Sequence, residues 1–184
     1  MAQTTKRALA TSLKKLLNQK PMDSITVKDL VEDCEVNRQT FYYHFQDIYD
    51  LLQWVFEQEA EALLAGKKDT DTWQEGFLET FRYVQRNRAM ILHVYHSNGR
   101  PHLDACLDAL VHQLLFHVVE ENGALLRVSA EDKAFLADFY KFAFVGLMRD
   151  WIARELKEDP EILVGKTARL LEGDFRRGLE KFTI

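Results

Sequence analysis

The sequence contains few of the residues that interrupt helices or cross-link a chain. Among 184 residues there are only three prolines, eight glycines and two cysteines, and no segment alternates β-branched with polar residues. The scarcity of strand patterns and turn residues predicts an all-α protein rather than a mixed fold. Hydrophobic residues make up 47% of the chain, which is enough for one large domain or two small ones.

Long apolar runs are also missing. No stretch of about 18 apolar residues occurs, and the basic start around Lys6 and Arg7 lacks the apolar segment of a signal peptide. We therefore expect no membrane association and a cytoplasmic location. The two cysteines, Cys34 and Cys106, lack Cys-x-x-Cys spacing, which indicates reduced, packed thiols rather than a disulfide or a zinc site.

Charge is distributed unevenly along the chain. The whole sequence has a net charge of −5, which by itself argues against a nucleic-acid binder. Residues 1–46, however, hold seven lysines and arginines against five aspartates and glutamates, so the acidic excess belongs to residues 47–184. A basic head on an acidic body is compatible with nucleic-acid binding by the head.

Three helices are predicted in the head. The first is amphipathic, the second starts at Thr26 with Asp29 as its capping-box partner, and Asn37 can cap the third. Two helices joined by a tight turn are the sequence form of a helix-turn-helix. The chain is thus divided into a helix-turn-helix DNA-binding domain, 1–46, and a helical domain, 47–184.

The third helix lies in the stretch VNRQTFYYHF, residues 36–45. At about 100° per residue, Phe41 and Phe45 face inward, whereas Gln39 and Tyr43 point outward. Arginine can bridge guanine O6 and N7, glutamine can pair with adenine, and a threonine methyl or tyrosine ring can meet a thymine methyl. This composition predicts a helix that reads bases in the major groove. A protein-binding adaptor is the alternative, because tyrosine and arginine are also favoured at protein interfaces.

These residues resemble a known family. The segment TVKDLVEDCEVNRQTFYYHFQDIYDLL, residues 26–52, is similar to the DNA-binding segment of the TetR family of bacterial transcriptional regulators. The matching positions are Thr26, Leu30, Val36, Thr40, Tyr42, His44, Phe45 and Leu51. Within the family, RQTFYYHFQDIYDLLQWVF resembles activators of dihydroxyacetone-kinase operons, in which a partner protein carries the signal.

The resemblance implies a homodimer on a double-stranded DNA operator, with the third helices in successive major grooves. The residues implied near bases are Arg38, Gln39, Thr40 and Tyr43, and those implied near phosphates are Thr26, Lys28, Tyr42 and His44. Two positions depart from the family pattern. Glu35 replaces a usual glycine, so a backbone with positive φ would carry a cost of about 1 kcal/mol. Ile48 replaces a common phosphate-contacting lysine, which predicts a lower affinity or salt dependence.

The rest of the chain is predicted to be a helical bundle, giving about nine helices in all. Its fourth helix runs from Ile48 to about Leu64, and the clearest linker is GKKDTD, residues 66–71. The family resemblance implies a small-molecule effector or a signalling partner protein. The candidate pocket residues are Trp73, Phe77, Phe81, Tyr95, Leu107, Leu114, Phe139 and Phe142, for each of which plain core packing is the alternative.

The last two predicted helices carry more large apolar residues than a single core of this size requires. We therefore expect them to form a dimer interface, as the resemblance also implies. The candidate interface residues are Val145, Met148, Trp151, Ile152, Leu163, Leu170 and Leu171, with packing inside the monomer as the alternative.

The histidines do not form a pattern that indicates chemistry. His93 and His96 lie three residues apart, but His112 and His117 do not share a helix face, and no Glu-x-x-His pair is present. No nucleophile and base occur at catalytic spacing. The sequence therefore predicts no metal site, no cofactor and no enzymatic activity.

Overall fold

The structure is a computed structural model that describes residues 2–65 and 72–183, and all regular secondary structure within these ranges is helical. The all-α prediction is confirmed. The helices are α1 (Ala2–Leu17), a 3-10 turn (Met22–Ser24), α2 (Val27–Asp33), α3 (Arg38–His44), α4 (Ile48–Leu64), α5 (Trp73–Arg86), α6 (Arg88–Tyr95), α7 (Arg100–Asn122), α8 (Ala130–Ala153), α9 (Pro160–Leu170) and α10 (Asp174–Glu180). The linker predicted at residues 66–71 lies outside the described residues.

The described residues thus form ten α-helices, one more than the nine or so expected. The additional helix is α10, which the sequence analysis did not separate from α9. Gly173 adopts a left-handed backbone with φ of 73° immediately before α10. This conformation suits glycine, which has no Cβ, and it lets the chain turn sharply between the two helices.

Side-chain caps begin several helices where the sequence predicts them. The Ser129 hydroxyl accepts a hydrogen bond from the Asp132 amide at 3.0 Å and starts α8. The Asp159 carboxylate accepts from the Glu161 amide at 2.8 Å, and Pro160 occupies the first turn of α9. Each cap satisfies an amide that the helix itself cannot pair, so local sequence fixes these starting points.

The described chain divides into two compact units. The first comprises Met1–Ala60 and Asn87–Cys106, and the second comprises Glu61–Arg86 and Leu107–Ile184. These are units of packing, and the functional boundary at residues 46 and 47 stays a prediction.

In the first unit, α6 and the turn after it support the N-terminal helices. His93 Nδ1 lies 2.6 Å from the Leu17 carbonyl oxygen at the end of α1. Because a carbonyl only accepts, the imidazole nitrogen carries the proton in this contact. The Asn98 amide donates to the Asp23 carboxylate at 3.1 Å. The contacts hold α1 and the 3-10 turn in place beneath the helix-turn-helix.

The second unit is built around aromatic rings. Ring centroids are 5.6 Å apart for Trp73 and Phe144, 4.4 Å for Phe77 and Phe144, and 4.8 Å for Phe81 and Trp151. Separations of this size are typical of directly packed rings. These side chains fill the space between α5 and α8 with one another.

Helix α10 packs on another side of α8. Phe175 and Leu179 are buried there, and the Tyr140 hydroxyl donates to the Asp174 carbonyl at 3.3 Å. The α8 residues Leu136 and Tyr140 contact α10 and lie in the core. Helix α8 is therefore covered on the side that carries these residues.

Candidate nucleic-acid interface

The caps of α2 and α3 form as the sequence predicts. The Asp29 amide donates to the Thr26 hydroxyl at 3.2 Å, and the Thr26 amide donates to the Asp29 carboxylate at 2.8 Å, which completes a capping box. The Asn37 side chain accepts from the Thr40 amide at 2.8 Å and starts α3. Both starts of the helix-turn-helix are thus fixed by residues within three positions of the helix end.

The turn between α2 and α3 is a C-terminal cap of the left-handed type. The Val36 amide donates to the Val31 carbonyl at 3.0 Å, and the Glu35 amide donates to the Glu32 carbonyl at 3.3 Å. Glu35 has a φ of 54°. This is the position usually occupied by glycine in such a cap, and a side chain there strains the backbone. The expected positive φ at Glu35 is present.

The inward face of α3 is anchored by two phenylalanines. Phe41 and Phe45 are buried, with ring centroids 6.0 Å apart, and Phe45 lies 6.0 Å from Trp54 of α4. The Lys6 ammonium lies 5.2 Å from the Phe45 ring centroid. This cation–π contact joins residues 39 positions apart, so no local pattern in the sequence predicts it. The anchoring determines which side of α3 faces solvent.

The residues expected near bases lie on the outward side. Gln39 and Arg38 are exposed, Thr40 is half-buried, and Tyr43 is 82% exposed. None of these side chains is enclosed by the described part of the first unit. The structure therefore brings all four onto one accessible surface, where they can contact another molecule.

Arg38 and Tyr42 form a pair along this surface. The Arg38 Nη2 donates to the Tyr42 hydroxyl oxygen at 3.2 Å, and the guanidinium carbon lies 5.6 Å from the Tyr42 ring centroid. Since that hydroxyl accepts from arginine, its own proton can be donated to a further acceptor such as a phosphate oxygen. The four-residue spacing was visible in the sequence, but the pairing was not predicted.

The remaining candidates for phosphate contact are also at the surface. Thr26 and Lys28 are exposed, and His44 is half-buried with its ring centroid 5.0 Å from that of Tyr43. Lys28 lies 3.7 Å from Glu32, at a separation and exposure where an ion pair is weak. The lysine can therefore exchange this carboxylate for a phosphate at small cost.

Several other lysines of the head form ion pairs. Lys20 donates to Asp29 at 3.0 Å, Lys14 lies 2.5 Å from Glu59, and Lys15 pairs with Asp33. The pKa of Asp29 is lowered by the Thr26 backbone amide and then by the Lys20 hydrogen bond. Three of the seven basic side chains counted in residues 1–46 are thus paired within the chain, Lys15 and Lys20 with acids of the head and Lys14 with Glu59 of α4.

The start of α4 carries acidic caps. The Asp47 carboxylate accepts from the amides of Tyr49 and Asp50 at 2.8 and 2.9 Å, and Asp50 accepts from the Gln46 amide at 2.9 Å. These amides are therefore engaged within the chain. Together with Ile48 in the place of lysine, this arrangement offers little to a phosphate at the α4 terminus.

The predicted pocket residues differ in burial and in the unit to which they belong. Trp73, Phe77, Phe81, Leu107 and Leu114 are buried in the second unit. Phe139 and Phe142 instead lie on the solvent side of α8, because they are three residues apart and opposite the buried face of that helix. Tyr95 belongs to the first unit, where the Arg100 guanidinium carbon lies 4.3 Å from its ring.

The predicted interface residues also divide. Val145, Met148, Trp151 and Ile152 are at most 3% exposed, so the structure places them in the core of the second unit, which was the alternative to an interface. The reason is that α8 has apolar residues on two sides, and the sequence pattern does not show which of the two sides is buried. On α9, Leu170 is 74% exposed, and Leu163 and Leu171 are half-buried.

Across the described ranges, no group of three or more His, Cys, Asp or Glu side chains is placed to hold a metal ion. Both cysteines are free and half-buried. Burial raises the pKa of the Cys106 thiol to about 12. The helices within residues 2–65 and 72–183 include none that is long and apolar enough to span a membrane.

Two capped helices joined by a tight turn, the second presenting polar and aromatic side chains outward, define a helix-turn-helix protein. Residues 5–55 match the family model described as "Bacterial regulatory proteins, tetR family", and residues 71–173 match one described as "Transcriptional regulator C-terminal region". The chain belongs to the TetR family of bacterial transcriptional regulators. Since this is a family of regulators, the prediction that the protein is not an enzyme is confirmed.

Individual relatives agree with this membership. The HTH-type dhaKLM operon transcriptional activator DhaS of Lactococcus lactis subsp. lactis (strain IL1403) is 26% identical over 152 residues, which cover 82% of this chain and 80% of that protein. A solved structure of the dihydroxyacetone kinase operon activator DhaS has a TM-score of 0.72 at 22% identity and covers 98% of both chains. The TetR family repressor AlkX from Dietzia sp. strain DQ12-45-1b has a TM-score of 0.59 at 16% identity, covering 94% of this chain and 95% of its own.

Proposed function

We propose that the protein is a sequence-specific DNA-binding regulator that acts as a homodimer on a double-stranded operator. The observation that carries the proposal is the orientation of α3. Phe41 and Phe45 are buried beneath it, while Arg38, Gln39 and Tyr43 face solvent. A short helix with hydrogen-bonding side chains on its free face fits the major groove.

In this function the two helices of the helix-turn-helix supply two kinds of contact. Arg38, Gln39, Thr40 and Tyr43 contact base edges, whereas the phosphate contacts come from Thr26, Lys28, Tyr42 and His44. Phosphate contacts fix the position of the helix on the duplex, and base contacts provide the sequence preference. The Arg38–Tyr42 hydrogen bond of 3.2 Å supports a coupling of the two kinds of contact.

The test is a binding measurement on selected DNA. Sites are enriched from random duplexes with the full-length protein, and affinities are then measured by fluorescence anisotropy for the selected site and a scrambled one. Arg38→Ala and Gln39→Ala are each expected to cost roughly 1–3 kcal/mol on the selected site and to relax preference at one base position.

Arg176→Ala is the matched control, since Arg176 is an exposed arginine of α10 in the second unit. It should leave both the affinity and the preference unchanged. Equal losses on selected and scrambled DNA would contradict base reading by Arg38 and Gln39. Failure to enrich any site, with no salt-dependent binding, would favour an adaptor that uses α3 to bind a protein.

The homodimer is supported by apolar surface on the last helices of the second unit. Phe139 and Phe142 on α8 are 60% and 67% exposed, and Ile162 and Leu170 on α9 are 53% and 74% exposed. Large apolar side chains exposed in this number favour a protein interface. A symmetric pair would also place two α3 helices on successive half-sites of an operator. Sedimentation equilibrium should therefore yield twice the chain mass, and Phe139→Asp should lower it.

The likeness to DhaS suggests which operon is controlled. We propose that the protein regulates dihydroxyacetone-kinase genes and responds to a small-molecule effector or to a partner protein. Either signal would favour one separation of the paired α3 helices and so change operator affinity. Adding dihydroxyacetone to the purified protein tests whether a small molecule is the effector. A shift in operator affinity supports a direct effector, and no shift would leave the partner protein as the source of control.

A further inference from the structure

Helix α1 begins with two cations that the chain does not neutralise. The helix contains four basic residues and no acidic one. Lys14 and Lys15, near its end, form ion pairs with carboxylates of α4 and α2. Among the residues that the structure describes, no ion pair involves Lys6 or Arg7, of which Lys6 is half-buried and Arg7 is exposed. The start of α1 can therefore bind a negatively charged partner.

Aromatic rings hold the Lys6 side chain beside the end of α3. Its ammonium lies 5.2 Å from the Phe45 ring centroid and 5.8 Å from that of Trp54. Phe45 is buried and directly follows α3, and Trp54 is a half-buried residue of α4. A cation above an aromatic ring is attracted to the ring and keeps its full charge. The ammonium is thus held in position without being neutralised.

This position is close to one of the proposed phosphate contacts. The ring centroids of His44 and Phe45 are 6.5 Å apart, so the Lys6 ammonium lies within about 12 Å of the His44 ring. Seven residues give α3 a length of about 10 Å, and the major groove is about 12 Å wide. When α3 occupies the groove, its C-terminal end therefore lies near a sugar–phosphate backbone, on the side of the head that carries Lys6.

Helix α4 supplies no cation at this end of α3. Its sequence from Ile48 to Leu64 contains no lysine or arginine, and its first amides are occupied by the carboxylates of Asp47 and Asp50. Trp54 lies six residues after Ile48, or about 9 Å along the helix. Lys6 is consequently placed beside the same part of α4 that lacks a positive charge.

Arg7 adds a second charge next to Trp54. It lines a groove of about 290 Å³ between α1 and α4, together with Trp54, Lys14 and Glu59. Lys14 lies 2.5 Å from Glu59, so these two charges compensate each other. The uncompensated charge of the lining is the guanidinium of Arg7. Both sequence neighbours at the start of α1 thus carry a positive charge to the surface around Trp54.

We propose that Lys6 and Arg7 bind backbone phosphates of the operator beside the C-terminal end of α3, where α4 offers no cation. The proposal rests on the DNA binding by α3 proposed above and adds a contact outside the helix-turn-helix. Each DNA strand carries a phosphate for every 3.4 Å or so of rise, so two adjacent cations can be matched by consecutive phosphates. Such contacts position the head on the duplex and do not read bases.

The salt dependence of binding measures these contacts in the full-length protein. Affinity for the selected site is measured by fluorescence anisotropy over a series of salt concentrations. Lys6→Gln and Arg7→Gln should each lower the slope of log affinity against log salt by about 0.9, because one phosphate contact is lost. The matching loss of affinity is about fivefold at 0.15 M salt and vanishes near 1 M. Scrambled DNA should show the same loss, since both duplexes have the same backbone.

Two variants separate a phosphate contact from other effects of charge or packing. Lys6→Arg keeps the cation above the rings and should retain the slope of the original protein. Lys14→Gln removes the same charge from the same helix about two turns away and should leave the slope unchanged. A drop with Lys14→Gln equal to that with Lys6→Gln would assign the effect to net charge and overturn the proposal. Weaker binding by Lys6→Gln at an unchanged slope would also overturn it, because Lys6 would then act only by supporting α3.

Phosphate ethylation locates the contact on the duplex. Ethylation removes the charge of one phosphate, and at the position bound by Lys6 it should weaken binding of the original protein. The same ethylation should have no effect on Lys6→Gln, because that variant has already lost the cation. Identical interference patterns for the two proteins would refute the contact while leaving sequence-specific binding in place. Absence of salt-dependent binding to any duplex would instead refute the DNA-binding function itself.

Discussion

Replacing Glu35 with glycine should stabilise the DNA-binding head. Glu35 is the left-handed residue that ends α2, with a φ of 54°, and two backbone hydrogen bonds of 3.0 and 3.3 Å close the turn around it. Those bonds require the left-handed conformation, so the chain cannot relieve the strain by relaxing. Glycine adopts the same backbone without the clash between Cβ and the carbonyl oxygen.

The magnitude follows from two opposing terms. Removing the side chain at a left-handed position relieves about 1–2 kcal/mol. Glycine also gives the unfolded chain more freedom, which costs about 0.5–1 kcal/mol. The net gain expected for Glu35→Gly is therefore about 0.5–1 kcal/mol. Glu35→Ala is the matched control, because alanine loses the carboxylate but keeps the Cβ and hence the strain.

Amide hydrogen exchange of α2 and α3 measures the gain where it arises, at a fixed protein concentration. Protection should rise about two- to fivefold in Glu35→Gly and stay near the original value in Glu35→Ala, since 1.4 kcal/mol corresponds to about tenfold. A glycine variant that exchanges faster than the original protein would refute the assignment of strain to this turn. Equal gains in both variants would attribute the effect to the lost carboxylate.

Three further changes follow from the same contacts. Asn37→Ala removes the cap of α3 and should cost about 1 kcal/mol in urea unfolding, with Asn37→Ser retaining most of the stability. Lys28→Ala should weaken binding to all duplexes alike and lower the slope of log affinity against log salt by about 0.9, whereas a loss confined to one sequence would contradict a phosphate contact. Burial raises the pKa of Cys106 to about 12, so the neutral thiol stabilises the fold below its ordinary pKa near 9 and this contribution is lost as the pH rises toward 12. Cys106→Ala should flatten the fall in unfolding free energy across that range.

The helix-turn-helix could be predicted from the sequence because its signals are local. Thr26 and Asn37 cap the helices that follow them, and α4 occupies Ile48–Leu64 as expected. The inward face of α3 could be predicted equally well, since Phe41 and Phe45 are the only strongly apolar residues of the stretch RQTFYYHF. A helix with one apolar side has one way to pack, so the pattern determines its orientation.

Helix α8 presents the opposite case. Phe135, Phe139 and Phe142 are apolar, and so are Val145, Met148, Trp151 and Ile152, but the two groups lie on different sides of the helix. Periodicity identifies both sides without stating which is buried. The buried side is determined by packing against two other helices. The rings of α5 pack on Phe144 and Trp151, and α10 contributes Phe175 and Leu179. Such contacts between distant segments are not encoded in the local pattern.

Helix α8 nevertheless has more apolar residues than the core of a single chain buries. The core accounts for one side, because Val145, Met148, Trp151 and Ile152 there are at most 3% exposed. The aromatic residues on the remaining side are exposed. Exposing three phenylalanines within eight residues forfeits about 1.5–3 kcal/mol for each ring that could be buried. Burial against a second copy, as in the homodimer proposed above, would recover that free energy and would account for the surplus of aromatic residues on α8.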